Sequence, residues 1–166
     1  METRRVARAI ILVAIGVALS PFTSIPIGIA KINPAQHFVN VVGAVLLGPW
    51  WAAGIALIIG ILRNALGTGT LLAFPGGMIG AFLAGLVYRY SRSIYLGALG
   101  EIAGTGLLGA MASAFMVAPV LMGKPTALGA LIIAFSGSTI AGSIIGVLAL
   151  KLLDRAGLTK IEHDKG

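Results

Sequence analysis

The sequence predicts an all-α integral membrane protein with six transmembrane helices, and three observations predict it. Hydrophobic residues make up 58% of the 166 residues and charged residues only 10%, with a mean hydropathy of +1.02. Uncharged stretches of roughly 20 residues or more, the length that crosses a bilayer, recur along the chain. The basic residues fall mainly in alternate connections, as the positive-inside rule requires of a chain that spans the membrane several times.

The predicted spans form a single transmembrane domain with a short tail. They cover about residues 6–21, 35–47, 50–66, 75–90, 95–119 and 126–154, and residues 155–166 form a cytoplasmic tail. The first span follows Arg4, Arg5 and Arg8. That pattern is also typical of a signal peptide, but the run leads into a multi-spanning protein, so it is interpreted as an uncleaved first helix.

The second and third spans come from one uncharged stretch, residues 32–62, which Gly48-Pro49 interrupts. This pair is typical of a helix end, so two short helices are predicted. The second begins at Pro34, a residue favoured at the first helical position, with Asn33 as its N-cap. It is short, about 20 Å at 1.5 Å per residue. The third runs into a flexible polar turn at residues 66–70.

The last three spans are centred on the uncharged stretches at residues 64–88, 102–123 and 125–150. With the N-terminus inside, the six spans place nine of the twelve Lys and Arg residues in the cytoplasm. The exceptions are Lys31, Arg63 and Lys124, all toward the outer side. We therefore predict that both termini are cytoplasmic.

Composition excludes several classes of function. The chain has no cysteine, so neither a disulfide nor a thiolate metal site is expected, and no metal or cofactor is predicted. The pI near 10.4 is attributed to topology signals, not to nucleic-acid binding. The spans leave no segment for a soluble catalytic domain, so we expect ATP hydrolysis on separate subunits.

Hydrogen-bonding side chains cluster in the predicted outer half of the protein. A polar group at membrane depth needs a partner, and a small polar solute is the simplest partner for several at one depth. The alternative is that Asn33 only caps its helix, that its neighbours meet interfacial water, and that Arg63 snorkels to the membrane surface. The predicted substrate-binding residues are Gln36, His37, Asn40, Arg63 and Asn64.

Three phenylalanines also fall in the outer half. Phe74, Phe115 and Phe135 are candidates for stacking on an aromatic ligand, and Phe74 is the predicted contact. Packing within the protein or against lipid is the alternative for each of them.

Glu101 is the only acidic residue predicted well inside a span. An unpaired carboxylate at that depth is costly. We expect a structural pairing with Arg89 or Arg92, far from the outer polar cluster. A protonated carboxyl group or a coupling group for transport is the alternative.

The first helix carries a small-xxx-small pattern, Ala14-x-x-x-Ala18, with Gly16 between the two alanines. Small residues at this spacing let another helix approach closely. The pattern by itself does not say which helix approaches.

Three strings resemble the ThiW family, the substrate-binding (S) components of energy-coupling factor (ECF) vitamin transporters. They are KINPAQHFVN at residues 31–40, LLGP at residues 46–49 and LRNALGTGTLLAFPG at residues 62–76. The resemblance covers nearly the whole chain and is strongest between residues 31 and 80.

This resemblance implies a six-helix S-component fold in the prokaryotic plasma membrane. It implies capture of hydroxyethylthiazole, the thiazole precursor of thiamine, by a subunit that is not an enzyme. It further implies partnership with a transmembrane coupling subunit and two ATPase subunits. By the same resemblance, Ala14 and Ala18 would contact the coupling subunit, and the first outer loop, about residues 22–33, would act as a lid.

Two other functions remain open at this stage. The chain could be an S component for another vitamin, such as thiamine or riboflavin, or a stand-alone secondary transporter with Glu101 as its proton-coupling group. No repeat relates residues 1–83 to 84–166, which disfavours the second. An enzyme is disfavoured because the only intramembrane histidine and acid, His37 and Glu101, are predicted at opposite depths.

Overall fold

The computed structural model describes residues 2–159 as six helices and one β-hairpin. The predicted six-helix fold is confirmed, whereas the membrane boundaries of the spans and the orientation of the termini remain predictions. Lys160 and Lys165, counted above as cytoplasmic, lie outside the described residues with the end of the predicted tail. The helices are α1 (Glu2–Thr23), α2 (Pro34–Leu47), α3 (Pro49–Ala65), α4 (Ala73–Ser91), α5 (Ile94–Leu121) and α6 (Leu128–Arg155).

The surface and the lengths of the helices are those of a multi-pass membrane protein. Three helices, α1, α5 and α6, are long and apolar enough to cross a bilayer by length and composition, and α2 and α3 are shorter apolar helices. Large apolar side chains such as Ile10, Phe22 and Ile133 are exposed on the outside of the bundle. Lipid tails are the environment that such a surface suits.

The short helix α2 occupies the centre of the bundle. Ten of its 14 residues are buried, and it packs against α1, α3, α4 and α6. At about 21 Å it is shorter than the hydrocarbon core of roughly 30 Å. Because protein surrounds it, its polar side chains find partners on other helices and do not meet lipid.

Local sequence explains where the helices around this centre begin and end. The Asn33 side chain accepts a hydrogen bond from the Gln36 amide at 3.2 Å, so the predicted N-cap of α2 is present. Gly48 has φ 91°, a left-handed conformation that stops α2 just before Pro49 starts α3. At the start of α5, the Ser93 hydroxyl accepts from the Leu96 amide at 3.4 Å.

Glycines bring α4 close to α5, and α6 close to α2. A Cβ atom on Gly104 of α5 would lie 2.7 Å from the Gly80 Cα atom of α4. On α6, a Cβ atom on Gly142 would lie 2.6 Å from the His37 Cβ atom. Only glycine permits backbones to approach this closely. Helix α5 also widens into π-helical turns at Gly104–Gly109 and Ser113–Leu121.

A two-stranded antiparallel hairpin connects α1 to α2, an element that the all-α prediction did not include. Strand β1 (Ile25–Ile27) pairs with β2 (Ala30–Ile32), and Gly28 turns the chain with φ 58°. The hairpin lies within the loop predicted as a lid, although the first residues of that loop, Phe22 and Thr23, still belong to α1.

Candidate functional site

The outer polar residues converge on one small cavity beneath the hairpin. The cavity has a volume of about 20 Å³, which is room for about one water molecule. Residues from α2, α3, α4, α5 and α6 meet there, together with the end of the hairpin. Its lining residues are Lys31, Ile32, Asn33, Gln36, His37, Arg63, Ala73, Gly76, Gly77, Thr105, Phe135 and Ser138.

Arg63 points into the protein. Its side chain is 1% exposed, so it does not snorkel to the membrane surface. Nη1 donates to Gln36 Oε1, and Nη2 donates to the Thr68 carbonyl oxygen at 3.0 Å. Nε is buried and has no partner. A buried donor without a partner costs about 1–3 kcal/mol.

Glu101 is the hub of the hydrogen bonds beneath the cavity. Its side chain is fully buried. Three polar groups form hydrogen bonds with Oε1: His37 Nδ1 at 2.8 Å, Asn40 Nδ2 at 2.9 Å and Thr105 Oγ1 at 3.0 Å. The expected pairing with Arg89 or Arg92, away from the outer cluster, is therefore wrong. Glu101 belongs to the same polar cluster as the predicted site.

The length of α2 explains why the sequence placed His37 and Glu101 at different depths. His37 lies ten residues before the end of α2, and Glu101 lies seven residues after the start of α5. These separations correspond to about 15 Å and about 10 Å of helix. Since both are measured from the same end of the bundle, the remaining difference of about 5 Å is within the reach of a glutamate side chain.

This hydrogen bonding fixes the orientation of the His37 ring. Glu101 holds Nδ1, while Nε2 has no hydrogen-bond partner in the part of the chain that the structure describes. His37 also lines the cavity. Its second nitrogen is therefore available to a ligand, and its role as donor or acceptor depends on the tautomer of the ring.

Asn40 supports the cavity from below. Its Nδ2 donates to the Gly77 carbonyl oxygen at 3.1 Å as well as to Glu101. It is not among the cavity-lining residues, and its Oδ1 is buried without a partner. Asn40 therefore connects α2 to α4 and α5 rather than facing the cavity.

Asn64 and Phe74 also lie outside the cavity lining. Asn64 Nδ2 donates to the carbonyl oxygens of Gly60 at 2.9 Å and Thr70 at 3.3 Å, which holds the turn between α3 and α4. The Phe74 ring covers Gly60, where an added Cβ atom would lie 3.1 Å from it. The phenylalanine that lines the cavity is Phe135, which is 6% exposed.

Asn33 caps α2 and also lines the cavity, so the two interpretations of this residue are compatible. Its Oδ1 accepts from Thr23 Oγ1 at 2.9 Å, and its Nδ2 donates to Ser20 Oγ at 3.1 Å. Its backbone amide donates to Ser138 Oγ at 3.1 Å. These contacts join the end of the hairpin to α1 and α6.

Two further hydrogen bonds hold the hairpin region against the turn between α3 and α4. Lys31 Nζ donates to the Gly67 carbonyl oxygen, and Ser24 Oγ donates to the Thr68 carbonyl oxygen at 2.7 Å. The Thr68 carbonyl oxygen is also the acceptor for Arg63. The hairpin region is thus linked to Arg63, which lines the cavity, through the Thr68 carbonyl oxygen that both contact.

The sequence missed Glu101, Thr105 and Lys31 as members of this site. One signal could have drawn attention to the first two: Glu101 and Thr105 are four residues apart and so lie on one helix face. The assignment of that face to the cavity depends on the packing of α5 against α2 and α4, which no local pattern contains.

Ala14 and Ala18 lie far from the cavity lining and face outward. Both are exposed on α1 and line an open groove between α1 and α3 with a volume of about 730 Å³. The lining is almost entirely apolar. It consists of Val6, Ala9, Ile10, Val13, Ala14, Val17, Ala18, Trp50, Trp51, Gly54, Ile55, Ile58 and Leu62.

Two comparisons with known proteins bear on the family and on the fold. The model of the ThiW family, described as thiamine-precursor transporter protein, matches residues 6–156. The fold is similar to a solved structure described as the S component of a bacterial ECF transporter, with a TM-score of 0.78 at 18% identity. The alignment covers 96% of this chain and 100% of that one. No curated protein matches the sequence.

Proposed function

Because the chain belongs to the ThiW family of thiamine-precursor transporters, we propose that it captures hydroxyethylthiazole for uptake. The family is one of transporters, so the chain is a transport component and not an enzyme. The observation that carries the substrate proposal is the buried cavity beneath the hairpin, where Gln36, His37 and Arg63 meet Phe135.

The chemistry of this cavity suits a small neutral heterocycle with one hydroxyl group. The thiazole nitrogen accepts a hydrogen bond, and the hydroxyl can donate and accept. Arg63, the Gln36 amide and the free His37 nitrogen supply donors and an acceptor in one buried place. Phe135 supplies a ring face for the heterocycle. Asn40, Asn64 and Phe74 are assigned supporting roles.

Glu101 sets the orientation of one cavity-lining side chain. It is fully buried beneath the cavity and holds the His37 ring by Nδ1. A ligand without net charge suits this buried cavity, because a charged ligand would lose its hydration on entering a low-dielectric site.

Substrate binding requires the hairpin of β1 and β2 to move away from the cavity. A cavity of about 20 Å³ is too small for a thiazole ring with its side chains, since small-molecule sites measure roughly 300–1,000 Å³. The hairpin is held by hydrogen bonds from Lys31 and Ser24 to the turn between α3 and α4. We assign the hairpin as a gate that opens from this turn, admits the ligand and closes over it.

We further propose that the chain docks on an ECF coupling subunit, which brings two ATPase subunits. The support is the fold similarity and the open apolar groove with Ala14 and Ala18 on its α1 side. Small side chains and an apolar lining let another membrane helix approach closely. The excess of basic residues at the opposite end from the cavity favours an orientation with that end in the cytoplasm and the cavity toward the outside.

Isothermal calorimetry on the purified full chain tests the substrate. We expect tight binding of hydroxyethylthiazole and much weaker binding of thiamine and riboflavin. His37→Ala should weaken the binding of hydroxyethylthiazole by about tenfold or more. Gly137→Ala, on an open surface of α6, should leave that binding unchanged. Tight binding of another vitamin with none of the thiazole would refute the substrate assignment.

A proton-coupled stand-alone transporter is the second candidate, and the buried Glu101–His37 pair is what favours it. Two titratable groups in contact could pass a proton during transport. Uptake in cells that lack the ATPase subunits, abolished by an uncoupler, would select this candidate. Uptake that needs the ATPase subunits would select the ECF component.

A further inference from the structure

A second groove lies at the end of the bundle away from the cavity, and it is basic. It has a volume of about 540 Å³ and is formed by the start of α1, the junction of α2 and α3, and the end of α4. None of its lining residues within residues 2–159 is acidic. The lining residues are Arg5, Ala44, Val45, Leu46, Leu47, Gly48, Pro49, Trp50, Trp51, Gly85, Tyr88, Arg89 and Arg92.

The cations of this groove come from separate parts of the chain. Arg5 belongs to α1, Arg89 to α4, and Arg92 ends α4 with a left-handed backbone of φ 57°. Arg5 and Arg89 are exposed and form no salt bridge or side-chain hydrogen bond with any residue in the described range. Guanidinium groups from two or more directions are suited to bind phosphate oxygens.

Aromatic side chains place the groove at the membrane surface. Trp50 is 76% exposed, and Trp51 and Tyr88 stand beside it in the lining. Exposed tryptophan and tyrosine rings of membrane proteins lie at the level of the lipid headgroups. The groove is therefore at the depth at which lipid phosphates are found.

The basic groove also continues into the apolar groove between α1 and α3. Trp50 and Trp51 line both of them. A molecule with a phosphate on the arginines would have an apolar path for one acyl chain directly beside it. A free phosphate or a soluble anion would gain nothing from that path.

We propose that this groove binds the phosphate headgroup of an anionic phospholipid, with one acyl chain along the α1–α3 groove while the coupling subunit is absent. Arg5 and Arg89 bind the phosphate, and Trp50 and Trp51 flank the glycerol region. This site is independent of the thiazole cavity, so it stands whichever small molecule the cavity takes.

Native mass spectrometry of the full chain in detergent tests the site, with phosphatidylglycerol and phosphatidylcholine as probes. We expect one phosphatidylglycerol to be retained at concentrations at which phosphatidylcholine is not. This comparison needs no variant. Equal retention of the two lipids would overturn the proposal.

Paired variants locate the site. Arg5→Gln with Arg89→Gln should weaken phosphatidylglycerol binding about tenfold or more. The matched control, Arg4→Gln with Arg155→Gln, removes two exposed arginines outside the groove and should change binding less than about twofold. An equal loss in both double variants, or no loss in the first, would mean that only general charge attracts the lipid.

Two further measurements separate a lipid from a soluble anion. Gly54 lines the α1–α3 groove, and a Cβ atom there would meet nothing within 4 Å, so the side chain of Gly54→Leu starts in open space and occupies part of the groove. This variant should weaken phosphatidylglycerol binding. Glycerol 3-phosphate should compete poorly. Unchanged lipid binding by Gly54→Leu, or full competition by glycerol 3-phosphate, would contradict the acyl-chain contact.

Discussion

The cavity beneath the hairpin measures about 20 Å³ and is surrounded by buried polar groups, whereas the groove between α1 and α3 measures about 730 Å³ and is apolar and open. Around the cavity, hydrogen bonds hold Glu101 to α2, and Arg63 to α2 and to the turn between α3 and α4. In the groove, Ala14 and Ala18 present only small surfaces. The cavity is suited to select a ligand by the positions of its hydrogen-bond donors and acceptors. The groove is suited to bind a partner helix by shape.

This contrast also explains why the two regions should respond differently to substitution. A buried polar cluster has little tolerance, because each lost partner leaves a donor or acceptor without a hydrogen bond in a low-dielectric environment. An open apolar surface loses little stability when a side chain on it changes. Substitutions in the cavity should therefore affect thiazole affinity and stability together, whereas those in the groove should leave both unchanged and affect only what docks there.

The largest effect is expected from Glu101→Ala. It leaves the buried polar groups of His37 and Asn40 without their shared acceptor and should lower the free energy of unfolding by about 3–5 kcal/mol. Thermal unfolding in detergent measures the loss, and calorimetry should detect no thiazole binding. Glu2→Gln, at an exposed position, is the control. A variant that still binds tightly would remove Glu101 from the site.

Gly80→Ala should have the next largest effect. A Cβ atom at this position would lie 2.7 Å from Glu101 Oε2 and would also overlap the Thr105 hydroxyl. The resulting overpacking costs about 1–3 kcal/mol and should weaken thiazole binding about 10–100-fold. Gly137→Ala, with open space around it, gives the comparison. Equal affinities for the two variants would mean that α4 and α5 separate easily at this point.

Arg63→Gln should lower the affinity for hydroxyethylthiazole by about tenfold or more. The shorter side chain cannot keep both the Gln36 contact and the Thr68 carbonyl contact, and hydrogen bonds to charged groups contribute about 1.5–3 kcal/mol each. Calorimetry with hydroxyethylthiazole measures the change, and Arg155→Gln serves as control. Unaltered affinity would show that Arg63 only stabilises the turn between α3 and α4.

A smaller effect is expected from Asn64→Ala. Among residues 2–159, the side chain bonds only the carbonyl oxygens of Gly60 and Thr70. Stability should therefore fall by about 0.5–1.5 kcal/mol, while thiazole affinity changes less than about threefold. A large loss of affinity without a change in the unfolding temperature would instead place Asn64 on the ligand.

Ala18→Trp should leave thiazole affinity unchanged while it abolishes assembly with the coupling subunit, and so separates the function of the groove from that of the cavity. The residue is exposed in the α1–α3 groove, so a large ring there obstructs a docking helix and leaves the cavity intact. Co-purification with the coupling subunit measures assembly, which should be lost. Normal assembly would place the coupling surface elsewhere.

Most of the architecture could be predicted from the sequence. Hydropathy and charge gave six helices, and Gly48-Pro49 separated α2 from α3 as predicted. The hairpin at Ile25–Ile27 and Ala30–Ile32 was not foreseen, because three-residue strands leave almost no alternating pattern.

The candidate site was predictable only in part. The five predicted polar residues are all wholly or largely buried at one end of the bundle, yet only Gln36, His37 and Arg63 line the cavity. The choice between lining and supporting roles depends on the rotation of each helix about its axis. That rotation is set by the neighbouring helices.

The sequence by itself determined that this protein lies in the membrane, that it has six helices, and that polar residues of α2 and of the end of α3 are candidates for its chemistry. These properties depend on neighbours along the chain, which hydropathy, capping and helix period report. Only the tertiary structure joined His37 to Glu101, 64 residues apart, turned Arg63 inward and closed the hairpin over the cavity. The physical reason is close approach at Gly80, Gly104 and Gly142, where the absence of side chains brings distant helices into contact.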